Sequence, residues 1–461
     1  MENENIVRIG AGQGFYGDSP VSAIAMAHAG AADFIIHDAL AELTLSILQK
    51  DRRRDPNLGY ARDVELHAKL LYPPGVKNGI RFVTDSGGLN PQSAAAKVAE
   101  SLAKQGIKGV KIAAVWGDDM LERLDELMAA GEKLENLDTG APYEKGRYPV
   151  THANVYMGAR PVVEALNAGA QIVLAGRVAD PCLTLGILVH RFGWDLDNDW
   201  DLLAAGIGIG HLLECGGQAS GGNSYAHWPP NYNLSRLAYP IAHVRADGTA
   251  LFTRMTSMGG KVSRDTLREQ LVYEIHDPAR YITPDVVADF TGVSLVEIGP
   301  DRVEFSGAKG FPAPEKLKLC IGQMEGYLSD QFFFFSRPHA YQKALKFIEA
   351  VKEIWASLPV KLDRYEFSLL GIDGIHGAAA PMPDPQWLER MNEIGVRAVI
   401  MHSDERAGKT AFQAVVCLGL NGPPGLVGMP GWGHDARVQL SLWPTLIARR
   451  HVSPQWDIIE S

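Results

Sequence analysis

The chain has 461 residues, 44 of them basic and 54 acidic, which gives a formal net charge of −10 at neutral pH. That length supplies two or three buried cores at roughly 150 residues each. The acidic balance, with no basic run beyond "KDRRRD" at 50–55, excludes nucleic acid as an expected partner. The four cysteines (Cys182, Cys215, Cys320, Cys417) form no C-x-x-C pair, and the start "MENENIVRIG" has neither the basic cap nor the apolar core of a signal peptide. No apolar run reaches the length of a membrane span, so the expected setting is the cytoplasm, away from membranes.

Short apolar runs at 6–10, 33–37, 80–84, 110–115 and 171–175 predict strands, and "SPVSAIAMAHAG", "NPQSAAAKVAESLAKQG" and "DMLERLDELMAAG" between them predict helices. Ser19-Pro20 and Asn90-Pro91 are expected to start two of these helices, and Gly30, Gly106 and Gly131 to end them. From about residue 230 the pattern changes. "YPIAHVRADGTALFTRM" predicts a hairpin turning at Asp247-Gly248, "SRDTLREQLVYEIHD" a helix, and 295–335 several more strands. The expected class is α/β: an N-terminal parallel sheet flanked by helices over 1–230, then a mixed α+β second domain over 231–461, divided near Pro229-Pro230.

Polar and glycine residues gather after each of the first five strands: "GAGQGFYGD", "HDALAE", "TDSGGLNP", "WGDD" and "AGRVADP". In open parallel sheets the ligand crevice lies beyond these strand ends. Gly14, Asp38, Gly87, Asp118 and Arg177 are therefore expected to line one crevice. Gly12-x-Gly14-x-x-Gly17, with Asp38 following the next strand, formally matches a dinucleotide fingerprint. However, the helix signal begins only at Ser19-Pro20, and Phe15 and Tyr16 stand where a pyrophosphate needs close backbone approach. An anion cradle of Gly12, Gly14, Gly17 and Asp18 is preferred over a nicotinamide site or a plain turn.

A second glycine cluster, "HLLECGGQASGGNS" at 211–224, places Glu214, Gln218, Gly221, Gly222 and Asn223 where a ligand can approach backbone. Cys215 follows His211 by four residues, but at a helix C-terminus its thiolate is disfavoured. Ser86, Gly87, Gly88 and Asn90 of "TDSGGLNP" are read as ligand contacts, since Ser86 lacks the preceding glycine of a nucleophile elbow. There is no H-E-x-x-H, H-x-H or cysteine pair. No metal ligand is assigned, although His37 with the acids Asp38 and Glu42 leaves room for a divalent cation. His434 in "GWGHDAR" is read as capping or packing.

The runs "GAGQGFYGD", "ALAELT" with "RRRDPNLGY", "GGLNP", "GDD", "GRVADPCLTLG", "FGWDLDNDWDLLAAGIGIGHLLECGGQASGGN", "YPIAHVRADG" and "REQLVYEIHDPARYITPDVVADF" together resemble the AtuA family of acyclic terpene utilisation proteins. The likeness runs in order over roughly residues 6–310 and continues more weakly beyond. It implies breakdown of branched, unsaturated acids or their coenzyme A thioesters, and a separate small partner subunit, since the chain reaches Ser461 without the extra domain of some members. It supplies no catalytic residues to transfer. "TDSGGLNP" departs from a family form closer to "TNMGAANP", which argues against Ser86 as a required nucleophile.

The residues then support an enzyme, a homo-oligomer, that adds or removes water next to a carboxylate or thioester carbonyl. Asp38, Glu42 and Glu214 are the acid/base candidates, and Arg160 and Arg177 the carboxylate clamps. Asp118 and Asn154 complete the anion site, with coenzyme A entering as part of the substrate. A non-catalytic ligand-binding subunit and a nicotinamide-dependent oxidoreductase are the alternatives.

Overall fold

A computed structural model describes residues 6–428 and 436–461, so His434 lies outside the described residues. The chain forms two compact units. One comprises Met1–Glu144, Val150–Gly322 and Leu442–Ser461; the other comprises Lys145–Pro149 and Gln323–Ser441. The expected boundary at Pro229-Pro230 falls inside the first unit, because the hairpin after it is not the start of a new core.

The first unit is built on a ten-stranded sheet. Its centre is parallel: Ile6–Gln13, Phe34–His37, Arg81–Thr84, Ile172–Ala175 and Lys111–Trp116 lie side by side in that order. These strands are nearly all apolar because both faces are covered. Ile36, Val83, Ala113 and Val173 belong to one apolar core, and their neighbours Ile35, Phe82, Ile112 and Ile172 to the other. The helices Asp180–Phe192 and Trp200–Glu214 pack on the first face, while Val21–Ala29 and Pro91–Lys104 pack on the second.

The predicted hairpin Pro240–Arg245 and Ala250–Arg254 forms, with Gly248 at φ 80° in its turn. It extends the same sheet, Pro240–Arg245 pairing antiparallel with Ile6–Gln13, and Arg302–Ser306 and Ser294–Gly299 continue it outward. On the opposite edge Gln455–Glu460 pairs antiparallel with Lys111–Trp116.

Local signals hold in part. Asn90 caps its helix by accepting the Ser93 N–H, and Gly30 ends another at φ 61°. Ser19 makes no cap, because helix Val21–Ala29 begins only after Pro20. "DMLERLDELMAAG" yields a single 3-10 turn, Leu121–Arg123, and the short helix Leu124–Ala129. In the second unit Arg364–Leu370, Glu393–His402, residues 327–336 and Leu426–Gly428 pair antiparallel in that order. Helix Ala340–Ala356 joins the same core through Phe347, Val351 and Trp355. Among the described residues no helix is long and apolar enough to cross a membrane.

Candidate functional site

Three strand ends of the parallel centre deliver charged residues to one place. Asp38 follows Phe34–His37, Asp85 follows Arg81–Thr84, and Gly176-Arg177 follows Ile172–Ala175, with Asp180 opening the next helix. This is the carboxyl edge, where parallel sheets bind ligands. The carboxylate oxygens of Asp38, Asp85 and Asp180 all lie within 4.8 Å of one another. Arg177, only 2% exposed, donates to Asp180 Oδ1, and its Nη1 stands 3.9 Å from Asp85 Oδ2. Asp118 holds this loop by accepting the Arg177 N–H at 3.0 Å and the Asn154 amide at 2.7 Å.

Burial sets the charges. It pushes Asp38 well above the ordinary carboxylate range, and Asp180 and Asp85 push it further. Asp85 rises to about 7 by burial, against the pull of Arg177 and of the Ala39 N–H, which donates to Oδ1 at 2.7 Å. Three clustered carboxylates face one guanidinium, and burial with mutual repulsion raises Asp38 and Asp85 against its pull. The same oxygens are the donor set a hard divalent cation uses, although Arg177 already fills one side.

Beside this cluster a cavity of about 540 Å³ is lined by Glu42, Tyr156, Arg177, Asp180, His211, Glu214, Tyr281 and Lys318, among others. On one wall Tyr156 donates its hydroxyl to Glu42, and Lys318 Nζ donates to Glu42 Oε1 at 3.0 Å. Arg177 lies 4.1 Å from the centre of the Tyr156 ring. Burial pushes Glu42 up, but Lys318, Arg177 and the Tyr156 hydroxyl outweigh it and hold the carboxyl down to about 2. Glu42 is therefore a fixed anion.

On another wall His211 Nδ1 meets Glu214 Oε1 at 2.6 Å, and Glu214 Oε2 is buried without a hydrogen-bond partner among the described residues. Burial pushes Glu214 up to about 7, against the pull of His211. Its place as the last residue of helix Trp200–Glu214, at the negative end of the dipole, acts in the same direction. His211 is drawn down by burial but raised overall by Glu214. One helical turn separates the two, so the i,i+3 spacing makes the pair. Burial and Glu214 push the Cys215 thiol up, which removes it as a nucleophile.

The expected single crevice is divided. Gly14, Asp18, Gln218, Gly222 and Asn223 line a second cavity of about 470 Å³, and Gly221 and Asn223 a third of about 230 Å³. The anion cradle is filled by the chain's own carboxylates: Gly14 donates to Asp18 Oδ2 at 2.9 Å and Gly17 to Asp63 Oδ2 at 2.7 Å. Gly12 packs on His37, Gly87 on the Ala175 carbonyl, and Gly88 on Leu48 and the Gly59 carbonyl. These glycines serve packing. Ser86 is sealed at 0% exposure, bonded to Thr84 at 2.6 Å, and Asn90 ties its helix to the carbonyls of Pro56 and Leu58. Asp118 and Asn154 are buried and line none of these cavities; they position Arg177. Arg160 stands apart, ion-paired at the surface with Asp197 at 3.1 Å. Arg177 is no free clamp, since Asp180 and Asp85 already hold it.

Sequence reasoning did not single out Asp85, Asp180, Tyr156, Tyr281 or Lys318 for this site. For Asp85 and Asp180 the signal is position, one immediately after a strand and the other at the first residue of the following helix. Tyr156 and Lys318 are 162 residues apart and carry no local signal.

No curated protein and no solved structure matches the chain. The family model described as "Acyclic terpene utilisation family protein AtuA" matches residues 7–458, nearly the whole length, and the chain belongs to that family.

Proposed function

We propose that this protein is a hydro-lyase that adds or removes water next to the carbonyl of a small branched or unsaturated acid or its thioester. The family membership supports a catabolic role. The observation that carries the chemistry is the buried His211–Glu214 pair on the wall of the 540 Å³ cavity, with Glu214 poised at about 7 and one oxygen unpaired. A carboxyl that titrates near neutrality both accepts and returns a proton, which is what α-proton removal and departure of a β-hydroxyl require. His211 positions it. The fixed Glu42–Tyr156–Lys318 network lines the same cavity, and its charges are already satisfied.

The test begins with a melting screen of branched acids and thioesters, where a ligand at a hundred times its dissociation constant adds about 2.7 kcal/mol. Glu214→Gln keeps the size and the bond to His211 but cannot take the proton. Turnover of the ligand found is expected to fall by roughly 10² to 10⁴ with affinity little changed. An unchanged rate in a folded variant removes Glu214 from the chemistry and the hydro-lyase reading with it.

A further inference from the structure

We infer that the Tyr281 hydroxyl is the donor that receives the substrate's carbonyl oxygen, and that the reacting end is a neutral carbonyl, as in a thioester, instead of a free carboxylate. This rests on the hydration reading and narrows it. Tyr281 lines the same cavity as Glu214 and Asp180. Its ring packs on His211 with centroids 5.6 Å apart and on Phe290 at 5.7 Å, and its backbone is pinned by pairing with Ala288. The hydroxyl makes no hydrogen bond to another described residue, and it is not sealed among the buried polar atoms.

The other donors around it are committed or sealed: His211 Nε2 and Arg177 Nε have no partner among the described residues but are buried from solvent. Arg177 is held by Asp180 and Asp85, Lys318 by Glu42, and the Thr283 hydroxyl donates to the Val286 carbonyl at 2.7 Å. Lys316 is exposed at the rim. Burial together with Glu214 and Asp180 keeps the Tyr281 phenol neutral and therefore a donor. A substrate carboxylate placed here would add a charge facing Asp180, Glu214 and Glu274, and the cation left unpaired among the described residues of the lining, Lys316, is exposed to water, where its charge is screened. A neutral carbonyl adds none.

The charge balance holds through the reaction. The α C–H bond breaks, its proton goes to the Glu214 carboxylate, and the electron pair moves onto the carbonyl oxygen. One negative charge thus passes from Glu214 to an oxygen that Tyr281 hydrogen-bonds. The enolate then expels the β-hydroxyl, which takes the proton from Glu214 and leaves as water, restoring the carboxylate. A donor aimed where charge develops is worth most in a water-poor site.

The probes are the N-acetylcysteamine thioester of 3-hydroxy-3-methylbutanoic acid and the free acid, with α-proton exchange in deuterium oxide followed by NMR. The intact protein is expected to exchange the thioester and leave the acid untouched. Tyr281→Phe keeps the ring contacts with His211 and Phe290, so its melting temperature should match the parent. Its exchange rate should fall by roughly 10² to 10³ with KM little changed. A parent-like rate in Tyr281→Phe, beside a dead Glu214→Gln, overturns the donor and spares the hydration reading. Equal exchange of the free acid overturns the neutral carbonyl. No exchange of either probe by the intact protein overturns the inference and the reading beneath it together.

Discussion

Arg177 is a cation almost without access to water, held by Asp180 on one side and Tyr156 on another. Removing it strands Asp85 and Asp180 without their counter-charge. Arg177→Met fills similar space, yet it is expected to cost about 3–5 kcal/mol in urea unfolding, because a broken buried pair leaves an uncompensated carboxylate. A loss under 1 kcal/mol would show that bound protons, and not the guanidinium, neutralise the cluster. Asp38 and Arg177 were legible because each follows a strand of the parallel centre. Their use was not. A guanidinium after a strand reads as a clamp for a ligand, and only the fold reveals that Asp180, the first residue of the next helix, takes the charge first.

At the scale of elements, the loop after the first strand meets the end of helix Trp200–Glu214. A Cβ on Gly14 would lie 2.6 Å from the Cys215 carbonyl carbon and 2.7 Å from the Gly216 nitrogen. Backbone on both sides cannot yield. Gly14→Ala is expected to cost about 1–3 kcal/mol and, by displacing the helix end that carries Glu214, to lower turnover as well; thermal melts and rates on one preparation check both. Gly14 thus has a physical cause in close approach to the backbone at 215–216, whereas Gly12 meets the side chains of His37 and Ile35 and Gly17 stands at φ 86° with open space around it. Strands were read well because both-face burial leaves a continuous apolar run that needs no partner to be recognised. Their neighbours were not, since nothing in "YPIAHVRADG" says that it pairs with Ile6–Gln13 more than 200 residues earlier.

Over the whole molecule, buried histidines and buried carboxyls act against each other as pH changes. His67 and His152 are held down to about 4 by burial, from an ordinary value near 6.5. Their full contribution is present above 6.5. It is lost as pH falls toward 4, by up to about 3 kcal/mol each, because the unfolded chain binds protons that the folded one refuses. Asp85 and Glu214, raised to about 7, have the opposite sign: they favour the fold below about 4 and lose that contribution as pH rises through 7. The two sets partly cancel between 4 and 7. His67→Phe, which keeps a ring against His37, is expected to gain stability over the parent as pH drops from 7 to 4.5, read from paired urea melts. A constant difference would show that His67 is not held neutral.

Strand Gln455–Glu460 covers an edge made 339 residues earlier, where Trp116 donates its indole N–H to Gln455. Deleting residues 455–461 should leave Lys111–Trp116 as an uncovered apolar edge and move the product from monodisperse to aggregated in light scattering. The same feature sets a clock on synthesis. At about 5–20 residues per second, a ribosome needs roughly 17 to 70 seconds between making the edge and making its cover. For that interval the nascent chain exposes a strand ready to pair with any other, so its yield depends on how crowded the polysome is and on what shields the strand while it waits.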